Sequence, residues 1–262
     1  MDYTKLNVVA DGAVAVVTLC DPPTLNALGP AMCGELVGAL EQLARGLPAA
    51  RALVLTGEGR AFCSGAHLDD AAAAASGSVD LQQIVELYYN PVVRQLRALP
   101  MPIVSAVTGP AAGIGVALAL HADLVVVADS ASFTPAFSRV GLVPDGGASW
   151  LLPRLVGKAR AMEMALLGDS IGAAQALEWG LVNRCVPEDQ VMPVAKQLAR
   201  RLASGPASLA ATRRLMLDGA DADWESQLAA EARAQGAAGR TRDFREGVSA
   251  FLDKRRPQFR GD

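Results

Sequence analysis

The chain is poor in histidine, in aromatic residues and in charge of either sign. Among its 262 residues there are two histidines, His67 and His121, and four cysteines, Cys20, Cys33, Cys63 and Cys185. No C-x-x-C pair occurs, so the spacing argues against a metal site, and the cysteines read as buried free thiols. Aromatics make up 5%, and 24 basic residues nearly balance 27 acidic ones, for a net charge of −3. Without a basic run or basic–aromatic interleaving, nucleic acid is not an expected partner. The most apolar window, around 103–128, is broken by Gly109, Pro110, His121 and Asp123, which argues against a membrane span. The opening MDYTKLNVV has no charged n-region and no apolar h-region, so no secretory leader and a cytoplasmic location are expected. Two nucleotide signatures are missing as well. Gly113-Ile114-Gly115 is followed by Val116, Ala117 and Leu118, so the third glycine of a dinucleotide fingerprint is absent, and no P-loop sequence occurs.

What is present centres on residues 103–147. Two apolar runs, Ile103–Val107 and Leu124–Ala128, flank a glycine-rich turn, Gly109–Gly115, and a small-residue segment, Val116–His121. A third run, Ser132–Phe133, leads to Pro144-Asp145-Gly146-Gly147. Strand, glycine turn and helix together aim backbone N–H groups at an anion, or at an oxygen that becomes anionic. The alternative is that the glycines only let helix pack closely on strand. Both readings stand on this stretch alone.

Along the chain, residues 6–19 read as a hairpin about Asp11-Gly12. Pro30 opens a helix to about Arg45 with Met32, Leu36, Leu40 and Leu43 on one face. Ala52–Leu55 is a buried strand, and Ala71–Gly77 a mobile helical or loop segment. Residues 79–99 read as one helix with Ile84, Leu87, Tyr88 and Leu96 in its apolar face. Helices are expected at 148–156, 158–167 and 172–179, then a strand at 181–186. Beyond Pro187 the pattern is helical throughout, at 189–203, 206–218, 223–238 and 240–254. This order gives an α/β core over 1–190 and a helical region over 191–262 suited to packing on a neighbouring subunit.

The motifs together resemble the crotonase (enoyl-CoA hydratase/isomerase) superfamily over essentially the whole chain. Asn26-Ala27-Leu28 is similar to its N-A-L segment, and Val54–Gly57 with Arg60–Ala66 to its V-L-T-G and A-F-[CS]-[AS]-G-x-D segments. Thr108–Gly115 is similar to its N-G-x-A-x-G-G-G turn, and Gly141–Gly147, Gly180-Leu181-Val182 and Arg245–Arg255 also match. The resemblance implies a spiral of β-β-α turns with a helical trimerisation tail, as a homotrimer or dimer of trimers. It implies an acyl-CoA thioester as substrate, with coenzyme A as part of that substrate and no tightly bound cofactor. By position, Ala66 and Ile114 would supply the oxyanion-hole N–H groups, Ile114 standing where the family has glycine. Coenzyme A would lie along Leu25–Ala27 and along Ala66, His67, Leu68 and Asp69. His67 replaces the usual Asp and reads as a residue at the coenzyme A edge. Phe251 and Lys254 of a neighbouring subunit would meet the nucleotide end.

Two departures decide the expected chemistry. The family's hydratases use two glutamates, and those positions are Ala117 and Phe137 here. Hydration needs one group to activate water and another to protonate carbon, so it is not expected. Asp145 is the ionisable group left at a position where isomerising relatives carry their acid. Asp in Pro-Asp-Gly-Gly is also a good turn residue in its own right. Phe133, Phe137, Val143 and Trp150 are expected to surround its carboxylate and raise its pKa. Ala136–Asp145, Trp150–Arg154, Ala165–Gly168 and Gly247–Phe251 most resemble the 1,2-epoxyphenylacetyl-CoA isomerase branch. That implies a single-base proton shuttle by Asp145, moving a double bond or rearranging an epoxide. The alternatives are hydration, nucleophilic substitution by Asp145 as in dehalogenases of 4-chlorobenzoyl-CoA, or acyl-CoA binding without catalysis.

Overall fold

A computed structural model describes residues 3–262, apart from the side chains of Leu68 and Ala71. The Asp11-Gly12 signal makes the expected hairpin: β1 (Leu6–Asp11) pairs antiparallel with β2 (Val14–Leu19), from Leu6 opposite Leu19 to Asp11 opposite Val14. From β2 onward the main sheet is parallel, through β3 (Ala52–Gly57), β4 (Ile103–Val107), β6 (Leu124–Ala128) and β9 (Arg184–Val186). β2, β3, β4 and β6 are mostly Val, Leu, Ile and Ala because both faces are covered. A second sheet is built from very short strands, β5 (Ala111–Ala112), β7 (Ser132–Thr134) and β8 (Ile171–Gly172). The expected α/β spiral of β-β-α turns is what these residues form. The 181–186 strand narrows to its last three residues.

Helix α1 (Pro30–Ala44) begins on Pro30, whose missing N–H would be an orphan there in any case, and buries Met32, Leu36, Leu40 and Leu43. The alanine-rich segment is helix α2 (Leu68–Ala75), capped by His67. The single helix expected over 79–99 is instead three pieces: α3 (Leu81–Ile84), a π turn (Val85–Tyr89) and α4 (Asn90–Ala98). Pro91 cannot donate to the preceding turn, and the Asn90 N–H bonds five residues back to Val85. The extra residue shifts the apolar face. Ile84, Tyr89, Val92 and Leu96 are buried, while Leu87 is exposed.

Helix α5 (Ile114–Leu120) is buried throughout. Helix α6 (Ala148–Leu167) is interrupted at Gly157, with φ 77 and ψ 161, so the two expected segments stand. Helix α7 (Ala173–Glu178) and helix α8 (Glu188–Ala203) follow. Helix α8 lies across β2, β3, β4 and β6 and buries Val191, Ala195 and Ala199 completely. The boundary expected at 190/191 therefore falls inside a helix that belongs to the core, because the sheet needs α8 to cover it. The helices beyond it are α9 (Ser208–Gly219), α10 (Trp224–Ala238) and α11 (Arg242–Leu252). Among the described residues, no helix is long and apolar enough to cross a membrane.

Candidate active site

Two loops run side by side at the ends of β3 and β4. Phe62 N–H donates to the Pro110 carbonyl at 3.0 Å, and Ala112 N–H to the Cys63 carbonyl at 2.9 Å. The approach is too close for side chains at two points. A Cβ on Gly65 would sit 2.8 Å from the Ala112 oxygen, and one on Gly115 would strike the Cys63 carbonyl. The glycines do permit close packing, and that packing brings residue 66 beside the start of α5. Ala66 follows Gly65, and Ile114 is the first residue of α5, where an N–H has no partner within the helix. Among the described residues, neither the Ala66 nor the Ile114 N–H donates a hydrogen bond.

A third loop closes the same edge. Leu28 N–H donates to the Gly65 carbonyl at 2.7 Å, and Ser64 N–H to the Leu25 carbonyl at 2.9 Å. Asn26 ties the loops together and is fully buried. Its Nδ2 donates to the carbonyls of Glu58 and Ala61, each at 2.9 Å, and its Oδ1 accepts from Asp21 N–H at 2.8 Å. These bonds hold Leu25 and Asn26 at φ 56 and 59, a left-handed conformation that asparagine tolerates and leucine does not favour. His67 Nδ1 accepts from the Asp69 N–H at 3.3 Å, so the imidazole caps α2. Leu25, Ala27, Ala66, His67 and Asp69 thus share one rim, with the backbone of Leu68 between the last two. Phe251 and Lys254 lie at the end of α11, whose Asp243 is bonded to Ala207, Arg260 and Gly261. Phe251 is 83% exposed, and within this chain no hydrogen bond among the described residues joins either residue to the rim.

Asp145 sits in the turn leading to α6. The next residue, Gly146, rests against α5: a Cβ there would lie 3.0 Å from Ile114 and 3.1 Å from Ala117. Helix α6 receives no side-chain cap, so the Asp145 carboxylate is not spent on capping it. Its Oδ1 is buried and accepts no hydrogen bond among the described residues. Burial pushes the Asp145 pKa up to about 6. Two of the four residues expected to cause this do not. Val143 is 79% exposed, because the turn projects it outward. Trp150 faces away, its ring 4.0 Å from Arg154 and 4.8 Å from Arg97, its indole N–H donating to Asp221. Phe133 and Phe137 are buried, as is Ala117.

Tyr89 was not singled out by the sequence pattern, which pointed to its neighbour Tyr88. The π turn swings Tyr89 inward, where it is 3% exposed. Burial, then the nearby Cys33, Asp145 and Asp70, push its phenol upward, so it stays a neutral O–H. Pro91 was the signal in the sequence that could have revealed this shift. Burial also pushes Cys33 and Cys63 up to about 12, so neither thiol is a nucleophile near neutral pH. The arrangement is therefore two free N–H groups, one carboxylate of raised pKa and a neutral tyrosine.

Comparison with known proteins gives the family. Residues 10–262 match the family described as enoyl-CoA hydratase/isomerase. A protein of Rhodobacter capsulatus named a probable enoyl-CoA hydratase is 46% identical over 262 residues, covering 100% of both chains. The 1,2-epoxyphenylacetyl-CoA isomerase of Escherichia coli is 45% identical over 250 residues, covering 95% of each. Among solved structures, an enoyl-CoA hydratase from Polaromonas sp. JS666 superposes with a TM-score of 0.91 at 34% identity, covering 97% of this chain and 99% of the other. The relatives carry two different activities in their names.

Proposed function

This chain belongs to the enoyl-CoA hydratase/isomerase family, and we propose that it is an acyl-CoA isomerase with Asp145 as its single acid and base. The observation that carries this reading is the Asp145 carboxylate: buried and unpartnered at Oδ1 among the described residues, with its pKa raised to about 6. Beside it, Ala117 and Phe137 fill the positions where the resemblance puts a hydratase's glutamates, and neither can move a proton.

In this mechanism the thioester oxygen accepts from the Ala66 and Ile114 N–H groups. Asp145 removes a proton from the acyl chain, and the electron pair moves onto the thioester as an enolate. The two N–H groups hold that developing charge, at about 3–4 kcal/mol for each donor. Asp145 then returns the proton to a different carbon, and the double bond has shifted. The same enolate serves an epoxide at the next carbon: the carbon beside the thioester loses its proton to Asp145, the electron pair returns to break the C–O bond, and Asp145 gives the proton to the released oxygen. The Escherichia coli relative's name supports keeping epoxides among the substrates. Coenzyme A is part of the substrate and lies along Leu25, Ala27, His67, Leu68 and Asp69, with Phe137 walling the acyl side. The active assembly is a homotrimer or a dimer of trimers, in which a neighbour's Phe251 and Lys254 reach the nucleotide end.

The test is proton exchange in D₂O with 3-enoyl-CoA and 2-enoyl-CoA, for wild type and Asp145→Asn. Isomerisation that disappears in the variant, with no 3-hydroxyacyl product, is the expected result. An Asp145→Asn protein with full isomerase activity would sink the reading. Rapid hydration by the wild type would also overturn it, and would point to Asp70, which shares the surroundings of Tyr89, as a second proton carrier.

A further inference from the structure

Helix α5 starts at Ile114 and hands over at its end to His121. From there the imidazole reaches the Asp145 turn, with Nε2 2.8 Å from the Gly146 carbonyl oxygen. A carbonyl oxygen only accepts, so Nε2 carries the proton and donates. One residue on, a Cβ on Gly147 would lie 3.3 Å from the same nitrogen, while Gly146 rests on Ile114 and Ala117. Among the described residues, no other side chain bonds the backbone of 144–147. The turn is therefore pressed onto α5 by contact at one end of the helix and bonded to it at the other.

We propose that His121 is a positioning residue for the Asp145 carboxylate, holding it through Gly146 in fixed register with the Ile114 N–H. One short, buried helix then sets both the proton-transfer site and the oxyanion site. The inference rests on the single-base reading of Asp145 given above. The effect is geometric: an error of about 1 Å between reacting groups costs on the order of 100-fold in rate. His121 adds no charge of its own to the site. Burial lowers its pKa; the hydrogen bond to Gly146 opposes this, and Arg97 and Arg213 nearby act with the burial. Asp123 and Arg154 line the same cavity beside it. That cavity, of about 480 Å³ and mostly apolar, gives a replacement side chain room to fit.

The experiment compares His121→Leu, which removes the donor, with His121→Gln, which keeps a neutral N–H at similar reach, on 3-enoyl-CoA. His121→Leu is expected to lose about 10- to 100-fold in kcat with KM little changed, and His121→Gln to recover most of it. Should the leucine variant be insoluble, His121→Asn, whose donor is drawn back by one bond, takes its place with the same expectation. Wild-type kcat in the donor-less variant overturns the proposal. So does equal loss in the leucine and glutamine variants, which would indicate a packing role only. Asp145→Asn is assayed alongside. If it keeps activity, the single-base reading has failed. If it is inactive while His121→Leu is not, only the role of His121 has failed.

Discussion

Arg213 and Asp123 join the outer helices to the sheet: Arg213 Nε donates to both Asp123 carboxylate oxygens, at 2.9 and 2.8 Å. The rest of the guanidinium is also used. Nη1 donates to the carbonyls of Arg97 and Leu99, and Nη2 to that of Leu96, at 2.9–3.0 Å. Arg213 is 8% exposed, so α9 is bound to the end of α4 and the start of β6 through a nearly dry guanidinium whose partner Asp123 still meets solvent. Arg213→Met leaves three carbonyls without their donor and takes the cation from a partly exposed carboxylate that keeps only the Ile103 N–H, at a cost of about 1–3 kcal/mol. Urea denaturation measures this, and Arg213→Met with Asp123→Leu should regain a large part. An unchanged midpoint in the single variant would contradict the account.

Asp145 sets a pH dependence in two observables. As a base it must be ionised, so kcat/KM should rise with pH below about 6 and level off above. Stability runs the other way. The folded pKa lies above the ordinary 3.8, so the carboxyl's contribution is full below that value and is lost as pH rises to about 6. Near pH 8 the buried charge costs at most ~3 kcal/mol, since each pH unit between the ordinary and the raised pKa is worth about 1.4 kcal/mol, and its remaining exposure lessens the cost. Asp145→Asn should therefore raise Tm near pH 8, and the gain should shrink toward pH 4. A variant less stable than wild type near pH 8 would show that the carboxylate is well solvated.

Ile114→Pro isolates one N–H. Proline suits the first position of a helix, so the change removes the donor with little harm to α5. The expected loss is about 100- to 1000-fold in kcat, while Ile114→Ala, which keeps the N–H, should lose far less. Steady-state kinetics on both variants decide whether the backbone group or the side chain matters.

Helix α11 presents Phe244, Val248, Phe251 and Leu252 to solvent in the single chain, Phe251 most of all. An apolar face of this kind is costly unless covered. On the proposed trimeric assembly, Phe251→Glu is expected to shift the protein toward monomer in light scattering and to raise KM for acyl-CoA. A monomeric wild type at micromolar concentration would remove the basis for a site shared between subunits.

In the 79–99 stretch the local pattern and the tertiary structure part. Its apolar residues fit a 3.6-residue period with Leu87 and Tyr88 inward, yet Pro91 forces a π turn and Tyr89 is the buried one. Local periodicity carries no record of a backbone slip. Helix α8 has the same amphipathic pattern as the helices after it, and only the open face of the sheet makes it a core element.

The sequence by itself determined the hairpin at Asp11-Gly12, the parallel strands, most helix positions and the motifs that identify the family, because propensity, turn chemistry and strand burial are local properties. It also removed the two glutamates, since a missing carboxyl needs no coordinates to be noticed. Only the tertiary structure decided what surrounds Asp145. That Val143 points outward, that Trp150 stacks on Arg154, that Tyr89 turns inward and that His121 holds Gly146 all depend on segments far apart in the chain meeting in space. Desolvation, which raises the carboxyl's pKa, arises from that meeting and from nothing written at position 145 alone.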